Sequence, residues 1–248
     1  MKTLFWRLSL LQAGWDYRLM QGAGFSWALE PALGPERAKR HLECFNTHPF
    51  AAPAIAGMVC RLEEEAAAAP EAERAGRLER LHALKRACAC AFAAIGDALF
   101  WGALRPGCAA LALVAEQLTE AAAGPAAIGP IESVGIALLY LAAFNRIALA
   151  TRRKGLTLGY ESGEALVAKV QEMKVQDEIR QLRGLGMGVA AVGVALMVWN
   201  SGAGQRVAAL LATAAFWAAL RWLPKTSTMR LYALCAVAAL AGAWAGWL

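Results

Sequence analysis

The side chains in this sequence that could bind a metal are few, and one set of them falls close together. His41, Cys44 and His48 are spaced so that they would share one face of a helix, and imidazole and thiolate groups are good zinc ligands. Pro49 interrupts such a helix, and no fourth ligand stands nearby, whereas a structural zinc site takes four. We therefore predict no metal here, and nothing else in the sequence indicates a cofactor.

Asp97 is the strongest single candidate for function, because the run from residue 87 to residue 104 is otherwise apolar. An ionisable side chain at membrane depth is costly unless it faces a partner or a polar cavity. The alternative is that Asp97 caps the start of a broken helix by accepting backbone N–H bonds, and the two roles are compatible. Trp101, four residues further on, is a second candidate for contact with a ligand.

The remaining polar and reactive residues are assigned structural roles. Glu132 follows Pro130 at a predicted helix start, where a carboxylate interacts favourably with the helix dipole. His82 lies in a charged segment and is expected to be solvated. Most of the cysteines lie in apolar runs, and we expect reduced thiols that pack as small hydrophobic side chains. They are Cys44, Cys60, Cys88, Cys90, Cys108 and Cys235.

The composition indicates a membrane protein. Hydrophobic residues make up 58% of the 248, charged residues only 18%, and the mean hydropathy is +0.41. A net charge of +6 could indicate nucleic-acid binding, but the basic residues do not alternate with aromatic ones as a stacking surface would require. The sequence also lacks the phosphate-binding loop of nucleotide hydrolases and the nucleophile elbow of serine hydrolases.

The first 33 residues are amphipathic. Phe5, Leu8, Leu11 and Trp15 recur at helical intervals, with charged residues between them. Such a helix lies along a membrane surface or a partner, or else turns its apolar face into the core of the chain.

The middle of the chain predicts short helices. We expect a helix at 37–45, an apolar helix at 51–62 and a solvated, charged helical hairpin at 63–86. The apolar runs 87–104 and 108–115 are separated by Pro106-Gly107, which favours re-entrant hairpins.

The C-terminal part predicts membrane-spanning helices. Residues 121–149 contain two Gly-Pro pairs before a continuous apolar run, so this segment is expected to enter the membrane broken. Three apolar runs, 185–199, 207–220 and 231–248, end the chain. The basic residues place 152–183 in the cytoplasm and Leu248 on the outer face.

Four segments, taken together and in order, resemble the IID family of mannose/fructose/sorbose-class phosphotransferase permeases. They are Leu11-Gln12-Ala13-Gly14-Trp15-Asp16-Tyr17 continuing through Met20-Gln21-Gly22-Ala23-Gly24-Phe25, His41-Leu42-Glu43-Cys44-Phe45-Asn46-Thr47-His48-Pro49-Phe50, Gly96-Asp97-Ala98-Leu99-Phe100-Trp101 with Arg105-Pro106, and Gly159-Tyr160 with Gly163. The resemblance extends over essentially the whole chain. It departs from the family at Cys90-Ala91-Phe92-Ala93, where family members usually have Met-Gly-Pro-Leu, and at Asp16, where Asn is common.

The resemblance implies an all-α integral membrane protein of the bacterial inner membrane that crosses it several times. Amphipathic N-terminal helices and re-entrant hairpins would form a IID-like core over residues 1–183, followed by a C-terminal transmembrane region over 184–248. Such a chain forms a hetero-oligomer with a IIC membrane subunit, contacts lipid, and imports a hexose that IIA and IIB phosphocarriers phosphorylate. It would carry no catalytic residue of its own.

For the sugar site, Asp97, Asn46, His48 and Trp101 are the predicted binding residues, since a carboxylate, amide or imidazole can hold sugar hydroxyls without reacting. A different hypothesis remains open at this point. The departure at Cys90-Ala91-Phe92-Ala93 is also compatible with a IID-like scaffold or regulatory protein that has lost transport.

Overall fold

The computed structural model describes residues 1–124 and 128–200, and every regular element in these residues is helical. Two short 3₁₀ turns, Leu11–Gly14 and Gly163–Ala165, and a π-helical segment, Asp97–Leu104, accompany the α-helices. The α-helices are α1 (Lys2–Ser9), α2 (Gly22–Leu33), α3 (Pro35–Lys39), α4 (Ala52–Ala68), α5 (Glu71–Gly96), α6 (Arg105–Ala123), α7 (Pro130–Ser162), α8 (Leu166–Glu172) and α9 (Val175–Asn200).

The N-terminal segment folds back on itself as two helices. Of the predicted apolar positions, Leu8 and Leu11 are buried in the main core and Phe5 is partly buried against it, whereas Trp15 is exposed. Leu4 is also buried in this core. Gly24 allows α2 to meet the preceding 3₁₀ turn, because a Cβ at this position would overlap the Leu11 carbonyl.

The helix predicted at 37–45 ends earlier, at Lys39. The residues after it are held by non-helical hydrogen bonds, since the backbone N–H of Gln21 donates to Phe45 O at 2.8 Å. The Gln21 side chain donates to Thr47 O at 2.8 Å and accepts from Thr47 N at 3.2 Å. These buried bonds satisfy backbone groups that a helix would otherwise use, which is why the helical pattern fails here.

Helices α4 and α5 form the predicted charged hairpin, but the break predicted after it at Pro106-Gly107 does not occur. Helix α5, the π segment and α6 instead make one continuous helical stretch, Glu71–Ala123. The ring of a proline inside a helix clashes with the carbonyl group four residues earlier. For Pro106 that residue is Gly102, which lies inside the π segment. The wider turn therefore accommodates Pro106 without a re-entrant loop at this point.

Among the described residues, three helical stretches are long and apolar enough to cross a membrane: Glu71–Ala123, Pro130–Glu172 and Val175–Asn200. Residues 121–149, which we predicted to enter the membrane as a broken segment, include the end of α6 and the first part of α7. Glu132 accepts a hydrogen bond from Gly129 N at 3.0 Å, which confirms its predicted capping role. The terminal runs 207–220 and 231–248, and with them Leu248, lie outside the described residues.

Small residues bring the long helices together. A Cβ at Gly57 of α4 would overlap the Leu156 carbonyl of α7, and a Cβ at Gly159 would overlap the Ala54 carbonyl. Helices α6 and α9 approach each other in the same way at Gly107 and Gly186. Close backbone packing of this kind is typical of helices in membranes, where apolar side chains alone give little preference for another helix over lipid.

The cysteines divide into two groups. Cys60, Cys88 and Cys108 are buried, as predicted for small hydrophobic side chains, but Cys44 and Cys90 are exposed. All five are free thiols, and Cys235 lies outside the described residues.

Candidate functional site

The candidate site forms where the extended segment after α3 packs against the π segment. His48 is only 3% exposed, and its ring stacks on Phe100 with centroids 4.9 Å apart and planes 10° from parallel. Phe50 N donates to His48 Nδ1 at 3.3 Å, which leaves the proton of a neutral imidazole on Nε2. Within the described residues, Nε2 is buried without a hydrogen-bond partner. His48 therefore holds one unused donor.

Burial lowers the pKa of His48, because an imidazolium ion is poorly solvated there. The negative charge of Asp97 opposes this shift, and the positive charge of Arg152 adds to it. The net direction is downward, so His48 is neutral at ordinary pH and can donate from Nε2.

Gly96 and Asp97 are held next to this histidine by the helix geometry. A Cβ at Gly96 would overlap Cβ and Cγ of His48, so only glycine permits this approach. Asp97 begins the π segment and its side chain is exposed. The helix continues through Asp97, so there is no helix start for it to cap, and the capping alternative is not supported. Single π-helical turns are frequent at functional sites.

Trp101 completes an aromatic surface beside the histidine. Its ring centroid lies 5.4 Å from that of His48, and the residue is 46% exposed. The Arg105 guanidinium lies 5.2 Å from the Trp101 ring centroid, within cation–π range. Asn46 is also exposed and lies two residues before His48. The structure thus brings His48, Asp97 and Trp101 together and places Asn46 on the adjoining stretch of chain.

Arg152 is a component of this region that the sequence analysis missed. It is buried, its guanidinium lies 4.7 Å from the Phe50 ring centroid, and Nη1 donates to Ser9 Oγ at 2.8 Å. Its Nε has no hydrogen-bond partner among the described residues. In the sequence, Arg152 belongs to a basic triplet of the kind that usually marks a membrane boundary, and no signal distinguishes it from its neighbours.

A second buried polar cluster lies on the other side of the extended segment. Lys85 is fully buried and its ammonium donates to Glu43 at 2.8 Å. His82 Nδ1 lies 2.9 Å from the same carboxylate oxygen, and His41 stacks on His82 with centroids 5.2 Å apart. Contrary to the prediction, His82 is therefore not a freely solvated side chain.

Glu63 extends this cluster to α4. His41 Nε2 lies 3.3 Å from Glu63 Oε1, and Arg40 Nη1 lies 3.2 Å from Glu63 Oε2. His41 and Glu63 are both fully buried. The three residues considered for zinc are thus separated: His41 joins this cluster, His48 stacks on Phe100, and Cys44 is exposed.

The pKa values of Glu43 and His41 are both lowered in the cluster, but for different reasons. Burial alone would raise the pKa of Glu43, but hydrogen bonds from Lys85 and His82 dominate and lower it to about 2. Burial lowers the pKa of His41, with a smaller opposing effect from the Glu63 contact. Glu43 is thus a carboxylate and His41 a neutral imidazole. Charged residues in a run are usually solvated, so residue type and spacing alone do not predict this burial.

The chain is similar to known proteins over most of its length. The family model described as "PTS system mannose/fructose/sorbose family IID component" matches residues 1–201. The mannose-specific EIID component of Escherichia coli K12 is 34% identical over 176 residues, which cover 67% of this chain and 56% of that protein. The fructose permease IID component of Bacillus subtilis 168 is 28% identical over 208 residues, or 80% of this chain and 69% of that protein. The chain thus spans little more than half the length of the first of these relatives.

Two solved structures are also similar. One, titled "Structure of membrane protein", has a TM-score of 0.65 and 27% identity, and the match covers 99% of this chain and 96% of the other. The second is the cryo-EM structure of the mannose transporter ManYZ in complex with microcin E492, with a TM-score of 0.52 and 25% identity over 100% of this chain and 96% of that one. Both likenesses support an all-helical membrane protein.

Proposed function

Because the chain belongs to the mannose/fructose/sorbose family of phosphotransferase-system IID components, we propose that it is the IID subunit of a sugar permease in a bacterial inner membrane. In this proposal the chain crosses the membrane several times and assembles with a IIC subunit to form the path of a hexose. Soluble IIA and IIB phosphocarriers phosphorylate the sugar on arrival. The observation that carries the proposal is the meeting of His48, Asp97 and Trp101 at the π segment.

The depth of this meeting point supports a role within the membrane. Phe50 and Phe100, which pack around His48, both contact Phe144 of α7, with centroids 5.7 Å and 6.3 Å apart. Phe144 lies eight residues before Arg152, which is about 12 Å along a helix. The site therefore lies between the apolar part of α7 and the level of Arg152, whose guanidinium also contacts Phe50. An ionisable side chain so close to the apolar part of a membrane helix is unfavourable without a partner.

The available groups suit a sugar better than a reaction. The Asp97 carboxylate can accept hydrogen bonds from two hydroxyls, and His48 Nε2 can donate one. The exposed face of Trp101 offers an apolar surface for the C–H groups of a hexose ring, and the Asn46 amide adds both a donor and an acceptor. Phosphate transfer is assigned to IIA and IIB.

The test uses cells that carry this chain with IIC, IIA and IIB from the same system. Uptake and phosphorylation of a labelled hexose should require the chain, and affinity purification of the chain from membranes should recover IIC. If the complex assembles but supports uptake of no hexose, the scaffold hypothesis would replace the permease hypothesis. Failure to recover IIC would contradict both.

A further inference from the structure

Helix α1 has two sides with apolar residues, and only one of them packs against other described residues. Leu4 and Leu8 are fully buried in the core. Lys2 and Trp6 lie on the opposite side, and Leu10, directly after the helix, continues their spacing of four. Trp6 is 64% exposed and Leu10 is 58% exposed. A helix of eight residues that only closed the core would have a polar outer side.

The position of α1 along α7 is fixed by one contact. Ser9, the last residue of α1, accepts the hydrogen bond from Arg152, and α7 continues from there into Arg153 and Lys154. N-terminal to Arg152, α7 is apolar from Ile131 onward apart from a few residues. Helix α1 therefore lies at the level where the apolar part of a candidate membrane span gives way to cations. That level is the membrane–water boundary.

The side chains exposed on and after α1 have the chemistry of that boundary. Tryptophan and tyrosine are enriched there because their rings are apolar while their N–H and O–H groups stay hydrated. Beyond Trp6, the N-terminal segment exposes Trp15 and Tyr17, whose rings contact each other with centroids 4.9 Å apart. The exposed flanking charges, Lys2 on α1 and Arg153 and Lys154 on α7, are positive and match anionic headgroups.

We propose that the exposed side of α1, formed by Lys2, Trp6 and Leu10, lies in the headgroup layer of the bilayer on the side of Arg152 and binds anionic phospholipid. This inference rests on the membrane location of the chain and not on sugar transport. It identifies lipid, and not a neighbouring subunit, as what covers this side of the helix.

Photocrosslinking in native membranes tests the proposal. The photoreactive amino acid p-benzoylphenylalanine replaces Trp6 or Leu10 in the complete chain, expressed together with IIC in cells labelled with radioactive phosphate. Position 79, occupied by an exposed glutamate in the charged half of α5, is the matched control. Irradiation should yield about tenfold more phospholipid adduct at positions 6 and 10 than at 79, as expected for an interfacial helix.

Each outcome decides the proposal. Adducts of positions 6 and 10 with IIC in place of phospholipid would overturn it, and so would equal lipid yields at positions 6 and 79. In vesicles of mixed phosphatidylglycerol and phosphatidylcholine, Lys2→Gln should lower the anionic share of the adducts, by up to about fivefold at low salt. An unchanged share would remove the anionic preference. Loss of uptake in the permease test with lipid adducts retained would contradict the proposed function alone.

Discussion

At the scale of single residues, the site depends on groups that are unsatisfied within the described chain. His48 Nε2 is buried without a partner, and Asp97 presents a carboxylate beside it. A buried polar atom that lacks a hydrogen bond is unfavourable, so a site of this kind is stabilised when a ligand supplies the missing partner.

Asp97→Asn should weaken hexose uptake and leave assembly with IIC intact. The substitution preserves shape but removes the charge, and a hydrogen bond to a charged group contributes about 1.5–3 kcal/mol, so uptake at low sugar concentration should fall about tenfold or more. The measurement is labelled-hexose uptake, normalised to the amount of complex in the membrane. Asp177→Asn, which alters an exposed ion pair with Arg180 on α9, is the control and should have no effect. If assembly and uptake are lost together, Asp97 is structural.

Gly96→Ala should destabilise the chain because the added methyl group overlaps the His48 ring, whose own position is fixed by Phe100. Overpacking of this kind costs about 1–3 kcal/mol. Gly76→Ala on α5 is the matched control, since a Cβ there meets nothing, and the better helix propensity of alanine should stabilise it by up to about 1 kcal/mol. Thermal unfolding of the purified complex compares the two variants. Equal melting temperatures for both would show that His48 moves freely.

At the scale of elements, the extended segment between α3 and α4 is held between two helical units. The charged cluster fixes its start to α4 and α5, and the aromatic stack fixes its end to the π segment. The buried ion pair between Glu43 and Lys85 is the strongest of these links by geometry. It also determines the position of the residues that carry the site.

Lys85→Met should lower stability by about 1–3 kcal/mol, because it leaves Glu43 without its closest cation, although partial exposure of that carboxylate moderates the loss. Adding Glu43→Gln should recover part of this loss, since the double variant no longer places an unpaired charge in the cluster. Lys169→Met, which removes an exposed pair with Glu172, is the control and should change stability by less than about 0.5 kcal/mol. Strictly additive effects of the two cluster substitutions would show that the pair is not coupled.

Stability should also fall as the pH is lowered through the histidine range. The pKa of His41 in the folded chain is below its ordinary value of 6.5. As the pH falls below about 6.5, the unfolded chain therefore takes up a proton that the folded chain does not, and the free energy of unfolding decreases. His48 acts in the same direction, whereas Glu43, with a pKa of about 2, contributes only below about 4.5. Melting temperatures between pH 7.5 and 5 measure the effect.

His41→Gln is the variant that tests this pH dependence, because it keeps a polar side chain facing Glu63 and Lys85 but cannot take up a proton. The melting temperature of this variant should change less between pH 6.5 and pH 5 than that of the unaltered chain. An unchanged slope would assign the pH dependence to other groups.

The sequence predicted the helices better than the connections between them. Apolar composition and periodicity are local properties, so the charged hairpin and the apolar character of the later helices could be predicted from the residues, but the continuity of the helix across Pro106-Gly107 could not. The π segment and the extended stretch could not, because they depend on Gly96 meeting His48 and on Gln21 meeting Thr47. Asp97, His48 and Trp101 could be selected by residue type, but Arg152 looked like an ordinary boundary cation.

At the scale of the whole molecule, α7 and α9 present apolar side chains that the other described residues do not cover. They include Ile131, Leu138, Leu141, Leu185, Val192 and Met197. Lipid and the proposed IIC subunit would together cover such surfaces. The division of the chain at residues 183 and 184 stays a prediction, and α9 runs across this position.

The chain expressed without IIC should be degraded or should aggregate, because its polar residues at membrane depth would face lipid. Size-exclusion chromatography in mild detergent compares the chain alone with the chain coexpressed with IIC. A monodisperse, folded chain in the absence of IIC would show that the proposed partner is not needed for folding.

The continuous stretch Glu71–Ala123 has a mechanical consequence. Its 53 residues, at about 1.5 Å each, give a helical path about 80 Å long, which is more than twice the thickness of the hydrocarbon layer. One half is charged and the other is apolar, so we expect the path to lead from water into the membrane. Helices bend most readily at π-helical turns. A change in the direction of the charged half relative to the apolar half is therefore expected at the π segment, next to Asp97 and Trp101.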